Sequence, residues 1–432
     1  MGRSDPPGRI ESAAHPPSAL DAGPNADSAM SDVKPAASVP PEPSRIALTR
    51  PGPTVGRPAW VHGIGAGVCL YFFVSAINVM GGGLKIIGDE TEYLEQLLAL
   101  GQNPFVALMA SVLITSIVQS SSFTTALIIT MTGTGFMDVQ TAVYAVMGAN
   151  IGTSVTNIIV ALGQIRIRRQ FRRAFTAALV HDIFNWLTVA ILFPVEWISS
   201  AAHGSGKGLL LRFAERLGHF VSVSDLEKPF NPVKWASSPV IHSFKWCASL
   251  VNNDPITQGV LIAIFGLILL FASLFYLVKN LKGAFLRQIE GLFRSFFFRN
   301  DAIAYVVGAF TTVLVQSSSV TTSLIVPLAG AGAVRISRVF AYTLGANLGT
   351  TFTGVIAATA NPVPEAVAVA IAHVTFNLIG TAIWYPLKTV PISLAYGFGR
   401  IASRSKRYAF LFLLLVFFVI PALGLILTEL FG

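Results

Sequence analysis

Two short polar runs with the same sequence stand in otherwise apolar parts of the chain. Gln119-Ser120-Ser121-Ser122 is followed by Thr124-Thr125, and Gln316-Ser317-Ser318-Ser319 is followed by Thr321-Thr322, at an offset of 197 residues. Hydroxyl and amide groups in an apolar segment are costly to bury unless they find hydrogen-bond partners or bind a ligand. One such run alone would favour contacts between helices. Its repetition favours ligand binding.

Both runs are poor sequences for the middle of a helix, because serine and threonine side chains compete for backbone hydrogen bonds. We therefore predict a break in the helix at each run. A broken helix presents N–H groups at one new end, which attract an anion, and carbonyl groups at the other, which attract cations. Neither 104–135 nor 302–332 contains a charged residue. A bound oxyanion would therefore need co-bound metal cations to supply positive charge.

The runs belong to a longer internal repeat. Residues 119–156 and 316–353 are identical at 16 of 38 positions without a gap. Further along the chain, the segment His181-Asp182-Ile183-Phe184-Asn185 resembles residues 373–377, now at an offset of 192 residues. Self-similarity of this extent indicates that the chain is a duplicated unit.

Composition places both copies in a membrane. The chain has 432 residues, of which 53% are hydrophobic and 12% charged, and its mean hydropathy is +0.65. A soluble domain carries roughly 25% charged residues. The net charge is +9, and the basic residues lie in short loops between apolar segments. In a membrane protein such residues determine the orientation of the chain and do not indicate nucleic-acid binding. We predict an all-α polytopic membrane protein that binds no nucleic acid.

The loop charges of the two copies have opposite signs. The first apolar segment of copy one is followed by acids, that of copy two by bases, and the signs exchange after the second shared motif. After the first apolar segment, copy one has Asp89, Glu90, Glu92 and Glu95, and copy two has Lys279, Lys282, Arg287, Arg294 and Arg299. After the second shared motif, copy one has Arg166, Arg168, Arg169, Arg172 and Arg173, and copy two has only Glu365. Because basic short loops stay in the cytoplasm, we predict two repeats of inverted topology.

The inversion is consistent if residues 104–135 and 302–332 each enter and leave the membrane on the same side as a re-entrant helical hairpin. The alternative, in which 104–135 crosses fully, is simpler and is not excluded by charge. Hairpins are favoured because inverted repeats with broken helices recur in transporters. The predicted crossings are then 60–88, 140–163, 174–195, 258–280, 339–359, 366–386 and 408–429, each near the roughly 20 residues that a span requires.

This topology divides the chain into segments. Residues 1–58 are predicted to be a disordered cytoplasmic N-terminal tail. Repeat 1 follows at 59–195, an extracellular loop at 196–257, repeat 2 at 258–386, a basic cytoplasmic loop at 387–407 and a final transmembrane helix at 408–432. The N-terminus is expected inside and the C-terminus outside.

Other glycines and polar residues within the predicted crossings have less specific interpretations. Glycines spaced four apart at 148 and 152, and at 345 and 349, indicate close helix packing. Their neighbours Asn150, Thr153, Thr156, Asn347, Thr350 and Thr353 fit structural and ligand-binding roles equally well. His181 and His373 are typical of buried, hydrogen-bonded histidines. Asp182 is a functional candidate because a carboxylate within a membrane segment is rare.

These motifs resemble the type II sodium–phosphate cotransporters with their paired Gln-Ser-Ser-Ser signatures. The resemblance covers about residues 60–425 and includes the segments 148–157 and 180–187 and Trp384-Tyr385-Pro386. It implies a symporter that moves inorganic phosphate into the cell with sodium by alternating access, in the plasma or inner membrane. Sodium would be co-transported and no other cofactor is implied. The lipid bilayer is the expected partner, and the resemblance is compatible with a monomer or a homodimer.

The resemblance also implies roles for individual residues. Phosphate would lie between the two runs, at Ser120, Ser121, Ser122, Ser317, Ser318 and Ser319, with Gln119, Asn150, Thr153 and Thr156 in support. One sodium site would use Ser122, Gln316, Ser317, Thr350 and Thr353, and another Gln164, Asn185 and Asn347 near Asp182. Electrogenic members carry an aspartate at the position of Asp182, which implies three sodium ions per divalent phosphate. An acid often found three residues after Gln164 is Ile167 here, a departure from the family pattern.

Two other classes of function are compared with phosphate symport, an intramembrane hydrolase and an anion channel. An intramembrane serine hydrolase is disfavoured, because both histidines lie far along the chain from the serines and no Gly-x-Ser-x-Gly motif is present. The chain is therefore not expected to be an enzyme. An anion channel, or a sodium-coupled transporter of another small oxyanion, is the alternative to phosphate symport.

Overall fold

A computed structural model describes residues 58–90, 103–221, 232–292, 300–360 and 362–431. All regular structure in these residues is helical. The α-helices are α1 Ala59–Glu90, α2 Pro104–Val118, α3 Ser121–Gly133, α4 Val139–Gly152, α5 Val155–Leu162, α6 Arg168–Ala202, α7 Leu209–Val221, α8 Pro232–Val251, α9 Pro255–Leu292, α10 Asp301–Val315, α11 Ser318–Ala331, α12 Ile336–Ala360, α13 Pro364–Trp384, α14 Thr389–Ala402, α15 Lys406–Leu414 and α16 Ile420–Phe431, with a π-helix at Leu415–Val419 joining the last two. The prediction of an all-α protein is confirmed.

Six helical stretches in the described part of the chain are long and apolar enough to cross a bilayer. They are Ala59–Asp89, Val139–Leu162, Arg168–Ala202, Pro255–Phe285, Pro364–Trp384 and Lys406–Thr428. The chain is therefore a polytopic membrane protein. The seventh predicted crossing, 339–359, lies within α12, which is 25 residues long and rich in glycine and threonine. Its passage through the membrane stays a prediction.

The chain reverses direction at each polar run. Thr115 donates to Thr124 at 3.0 Å, and the hydroxyls of Thr312 and Thr321 lie 2.8 Å apart. Residues nine apart would be separated by about 13 Å along a continuous helix, so α2–α3 and α10–α11 are helical hairpins, named here hairpin 1 and hairpin 2. The helix α2 has 15 residues and reaches only about 22 Å, too short to cross a bilayer core of roughly 30 Å.

Close approach of main chains holds each hairpin against the next helix of its own copy. A Cβ atom added at Gly148 would overlap the carbonyl oxygen of Leu108, and one at Gly345 would overlap that of Tyr305. At Gly152 and Gly349 the added atom would lie 2.7 Å and 2.5 Å from carbonyl oxygens of the facing hairpin. These four glycines are packing residues, as the spacing predicts.

The second arm of each hairpin also packs on the opposite copy. Helix α11 of hairpin 2 lies on α5 and α6 of copy one, and this contact is named interface 1. Helix α3 of hairpin 1 lies on α12 and α13 of copy two, and this contact is named interface 2. The two outer helices α1 and α9 pack along each other. Two apolar core clusters follow this division and hold the hairpins between the copies.

Several segments between the predicted crossings are helical. The region 196–257, predicted as a loop, contains α7 and α8. The basic region 387–407 contains α14. The tail 1–58 lies outside the described residues apart from Pro58, as do the loop acids Glu92 and Glu95 and the bases Arg294 and Arg299. The sidedness of every segment stays a prediction.

Candidate functional site

The helix breaks have the same geometry in both hairpins. Gln119 and Gln316 each adopt a left-handed conformation with φ 58°, at the end of the first arm. This conformation costs a non-glycine residue roughly 1–2 kcal/mol, so the surrounding packing must hold it. The next residue, Ser120 or Ser317, caps the second arm by accepting a hydrogen bond from a backbone N–H at 3.3 Å. Each break therefore begins a new helix with its own N-terminus, capped by a serine.

The two breaks lie against each other. Ser122 of hairpin 1 donates to the main-chain oxygen of Gln316 at 3.1 Å. In the equivalent contact of the other run, Ser319 donates to the main-chain oxygen of Gln119 at 3.5 Å. The two contacts are related by the internal repeat. They place two helix N-termini, each with a partial positive charge, at one point between the copies.

A cavity of about 500 Å³ opens beside the two breaks. Its polar lining consists of Gln119, Ser120, Thr156, Lys279, Lys282, Ser317, Ser319 and Ser323. Its apolar wall on the side of α9 is formed by Phe271, Leu274, Phe275 and Val278. Both capping serines face this space, whereas Ser121, Ser122 and Ser318 are buried behind it. The cavity can hold a small anion at the two helix ends.

Two lysines supply positive charge that the hairpins themselves do not contain. Lys279 and Lys282 lie one turn apart near the end of the apolar part of α9, and both line the cavity. The ammonium of Lys279 lies 5.9 Å from the ring centroid of Tyr276. Inspection of the hairpin segments misses these residues because they come from a different helix. In the sequence both stand among the bases that follow the first apolar segment of copy two, whereas the structure places them within α9, three residues apart on one helix face.

A closed cluster of oxygen atoms lies behind the cavity. Thr353 on α12 donates to the side-chain oxygen of Gln316 at 2.9 Å and contacts the hydroxyl of Ser122 at 3.3 Å. Thr350, one turn earlier, donates to the main chain of its own helix. All four residues are at most 5% exposed. Hydroxyl and amide oxygens gathered from three helices can bind a small hard cation.

The repeat contains an equivalent cluster in a more open arrangement. It consists of Gln119, Ser319 and Thr156, which correspond to Gln316, Ser122 and Thr353. All three line the cavity, and the hydroxyl of Thr156 has no hydrogen-bond partner among the described residues. Thr153 donates to the main-chain oxygen of Ala149 at 2.9 Å. One cluster is therefore closed and its repeat-related counterpart is open.

Asp182 is buried without an ion-pair partner. It is 1% exposed, and Ser154 donates to its Oδ1 atom at 2.9 Å. Neither ion pair found in the described residues includes it. A buried carboxylate is costly unless it is protonated or paired with a cation. Ser154 lies at the break between α4 and α5, and the corresponding part of α12 is continuous.

A chain of amide groups connects the two copies near Asp182. Asn347 donates to the side chain of Asn185 at 2.8 Å, and Asn185 donates to the main-chain oxygen of Asn150 at 2.7 Å. His181 contacts Asn347 at 2.7 Å through Nε2. The structure thus brings together Asn185, Asn347 and Asn150, and Asn185 lies about one turn after Asp182 on α6.

Gln164 is placed apart from these amides. Its side chain lies beside Gly330 of hairpin 2, close to Ala174. Ala174 and Asn185 are eleven residues apart on α6, which corresponds to about 16 Å. The Gln164 side-chain oxygen is buried and has no hydrogen-bond partner among the described residues. The structure therefore does not bring Gln164 together with Asn185 and Asn347.

Comparison with known proteins identifies relatives over most of the chain. A family profile described as Na+/Pi-cotransporter matches residues 72–205 and 258–425. The human sodium-dependent phosphate transport protein 2B is 29% identical over 440 residues, which cover 82% of this chain and 63% of the relative. The rat and mouse sodium-dependent phosphate transport proteins 2A are 32% and 33% identical over 421 residues, which cover 82% of this chain and 66% of each relative. No solved structure gives a significant match.

Proposed function

The chain belongs to the Na+/Pi-cotransporter family, and from that premise we propose that it carries inorganic phosphate into the cell together with sodium ions. The chain spans 63–66% of the length of the human and rat relatives named above. Those relatives are named for sodium-dependent phosphate transport and not for catalysis. The observation that carries the proposal is the cavity shared by two serine-capped helix N-termini.

Phosphate is proposed to bind in this cavity. Ser120, Ser317 and Ser319 line it and can donate hydrogen bonds to phosphate oxygens. The helix N-termini and the ammonium groups of Lys279 and Lys282 favour an anion over a neutral solute. Ser121, Ser122 and Ser318 are buried one layer behind. We propose that these three serines stabilise the helix breaks. Their hydroxyl groups could contact phosphate only after a rearrangement of the hairpins.

One sodium ion is proposed to bind at the closed cluster of Ser122, Gln316 and Thr353, with Ser317 and Thr350 contributing. Its position behind the cavity supports coupling, because a cation there would lower the electrostatic cost of an anion at the adjacent helix ends. Filling of the cluster would also fix the orientation of Ser122 and Gln316, which contact each other across the two breaks. Anion binding would then depend on sodium.

A second sodium site is proposed at Asp182, Asn185 and Asn347. The unpaired buried carboxylate of Asp182 supports this assignment. Gln164 was expected in the same site, but its distance from Asn185 leaves it outside the set in this conformation. The counterpart of Asp182 in copy two is Val374. Only copy one can therefore add a negative charge to its cation site.

We propose that transport is electrogenic, with three sodium ions per divalent phosphate. This stoichiometry rests on the family resemblance at Asp182. It would move one net positive charge in each cycle, and the membrane potential contributes about 2.3 kcal/mol per charge per 100 mV. Alternating access is supported by the difference between the closed and the open cluster, because inverted repeats can exchange their conformations. The membrane proposed is the cell membrane, with the N-terminus inside.

Uptake by liposomes tests the proposal. Vesicles that contain the purified protein should accumulate radiolabelled phosphate under an inward sodium gradient and should not do so under an equal potassium gradient. Sulfate and arsenate added as competitors test the alternative oxyanions. A flux that exceeds the limit set by the sodium gradient would favour a channel. Phosphate uptake that is equal in sodium and potassium would reject the proposal.

A further inference from the structure

Interface 1 contains a continuous chain of buried hydrogen bonds. Thr322 of hairpin 2 donates to the side-chain oxygen of Asn157 at 2.8 Å. The side-chain nitrogen of Asn157 lies 2.9 Å from Nδ1 of His181, and Nε2 of His181 lies 2.7 Å from the side-chain oxygen of Asn347. All four side chains are at most 3% exposed. The chain ties hairpin 2 to helices of both copies.

The orientation of the Asn157 side chain in the structure gives the donors and acceptors of this chain one direction. The Asn157 oxygen faces the Thr322 hydroxyl, which also lies 2.6 Å from the main-chain oxygen of Ser318, and in this orientation the Asn157 amide donates to Nδ1 of His181. His181 is then neutral and carries its proton on Nε2, which donates to Asn347. Asn347 in turn donates to Asn185. The Asn157 carboxamide is therefore the link that fixes both the hairpin and the histidine tautomer.

Interface 2 has the equivalent threonine and histidine but lacks the asparagine that links them in interface 1. The equivalents of Thr322, Asn157 and His181 are Thr125, Gly354 and His373. The Thr125 hydroxyl and both ring nitrogens of His373 are buried and have no hydrogen-bond partner among the described residues. A Cβ atom added at Gly354 would lie 3.3 Å from the Thr125 methyl and 3.7 Å from Nδ1 of His373. The glycine therefore stands where copy one places a carboxamide.

A second difference between the copies accompanies the glycine. The same added Cβ atom would lie 3.2 Å from the δ-methyl of Ile129. The equivalent of Ile129 in copy one is Val326, which lacks that methyl. Copy one thus combines asparagine with valine, and copy two combines glycine with isoleucine. The methyl group fills part of the space, but it cannot satisfy a hydroxyl or an imidazole.

We propose that interface 2 binds one water molecule between Thr125 and His373, in the place of the Asn157 carboxamide. The replaced group accepts one hydrogen bond and donates another, and water does both. Buried polar groups in proteins are usually paired, and buried water commonly bridges groups that would otherwise be unpaired. A sodium ion would serve less well, because it cannot donate a hydrogen bond.

The consequence is an unequal attachment of the two hairpins. Hairpin 2 is held at interface 1 by a side chain, whereas hairpin 1 is held at interface 2 by an exchangeable molecule. Hairpin 1 should therefore separate from α12 and α13 more readily than hairpin 2 separates from α5 and α6. The water site does not depend on which anion is carried. Only its effect on the transport rate rests on the proposed function.

Exchange of the two residue pairs between the copies tests this proposal. The double variant Ile129→Val/Gly354→Asn gives interface 2 the residues of interface 1, and Asn157→Gly/Val326→Ile makes the opposite change. We expect the first to raise Tm by roughly 2 °C and to slow phosphate uptake severalfold. The second should lower Tm by at least as much. Ile129→Val alone and Gly354→Ala are the controls, and neither supplies the amide.

Sodium-dependent melting separates water from a cation. If water occupies the site, the rise in Tm caused by sodium should be the same in the wild type and in Ile129→Val/Gly354→Asn, and a high-resolution map of the wild-type protein should show one peak within hydrogen-bond distance of Thr125 and His373. Loss of the sodium effect in that variant would assign the site to a cation and overturn the proposal. A map without a peak there would also overturn it. Neither readout requires phosphate transport, so a failed uptake assay would not decide it.

Discussion

Ser122 of hairpin 1 and Ser319 of hairpin 2 occupy equivalent positions in the repeat, and each donates to the main-chain oxygen of the opposite glutamine. The first contact continues through Thr353 into a closed cluster of oxygen atoms. The second, with Thr156, lines an open cavity that also contains two lysines. One polar sequence therefore lines a closed cluster in one copy and an open cavity in the other, for which we propose a cation and an anion. The surrounding helices decide which one forms.

The largest effect is expected from the closed cluster. Thr353→Val keeps the shape of the side chain but removes a proposed sodium ligand and the hydrogen bond to Gln316. Loss of such contacts costs roughly 1.5–3 kcal/mol, which corresponds to an increase of about 10- to 150-fold in the sodium concentration for half-maximal uptake. Thr156→Val makes the same change in the open cluster and should shift that concentration less. Equal effects of the two variants would contradict the distinction between the clusters.

Asp182 has no acidic counterpart in copy two, so its replacement should change the charge that is moved. Asp182→Gly is expected to keep sodium-dependent phosphate uptake while the current that accompanies uptake falls to the background level. The measurement is electrophysiology together with tracer uptake on the same membranes. Val374→Gly at the equivalent position is the control and should leave the current intact. A full current in Asp182→Gly would refute the proposed stoichiometry.

The lysines of the open side should act through long-range attraction. Lys279→Gln/Lys282→Gln is expected to raise the phosphate concentration for half-maximal transport about threefold to tenfold at low ionic strength. The difference should largely disappear near 1 M salt, where the screening length falls to about 3 Å. Lys85→Gln removes a lysine that does not line the cavity and serves as control. A salt-independent effect would indicate direct phosphate contacts instead.

The smallest effect is expected where hairpin 2 begins. Lys388 contacts Asp301 at 2.7 Å, and this hydrogen bond raises the pKa of Lys388 above its usual range. The stabilisation is fully present below the ordinary lysine pKa of about 10.4 and is lost only as pH rises through the raised value. Lys388→Gln should therefore lower stability equally at pH 6 and pH 8, by at most about 1 kcal/mol. If thermal melting showed that Lys388→Gln lowers stability by different amounts at pH 6 and pH 8, this assignment would be contradicted.

Sequence reasoning anticipates the parts of the site that depend on local chemistry. The breaks at Gln119 and Gln316 follow from hydroxyl-rich runs that disfavour a continuous helix. The buried packing of Gly148 and Gly345 follows from their spacing. Other features depend on which helices become neighbours. The lysines of α9, the separation of Gln164 from Asn185, and the significance of Gly354 opposite His373 emerge only when the copies are packed together.

Sodium-dependent binding of phosphate to the purified protein tests the central claim most directly, because it requires neither a membrane nor turnover. Thermal melting can be measured with and without phosphate, once in sodium and once in potassium at equal ionic strength. If cations at the closed cluster support an anion in the cavity, phosphate should raise Tm in sodium and leave it nearly unchanged in potassium. An equal rise in both salts would contradict the account, because the anion would then bind without help from sodium.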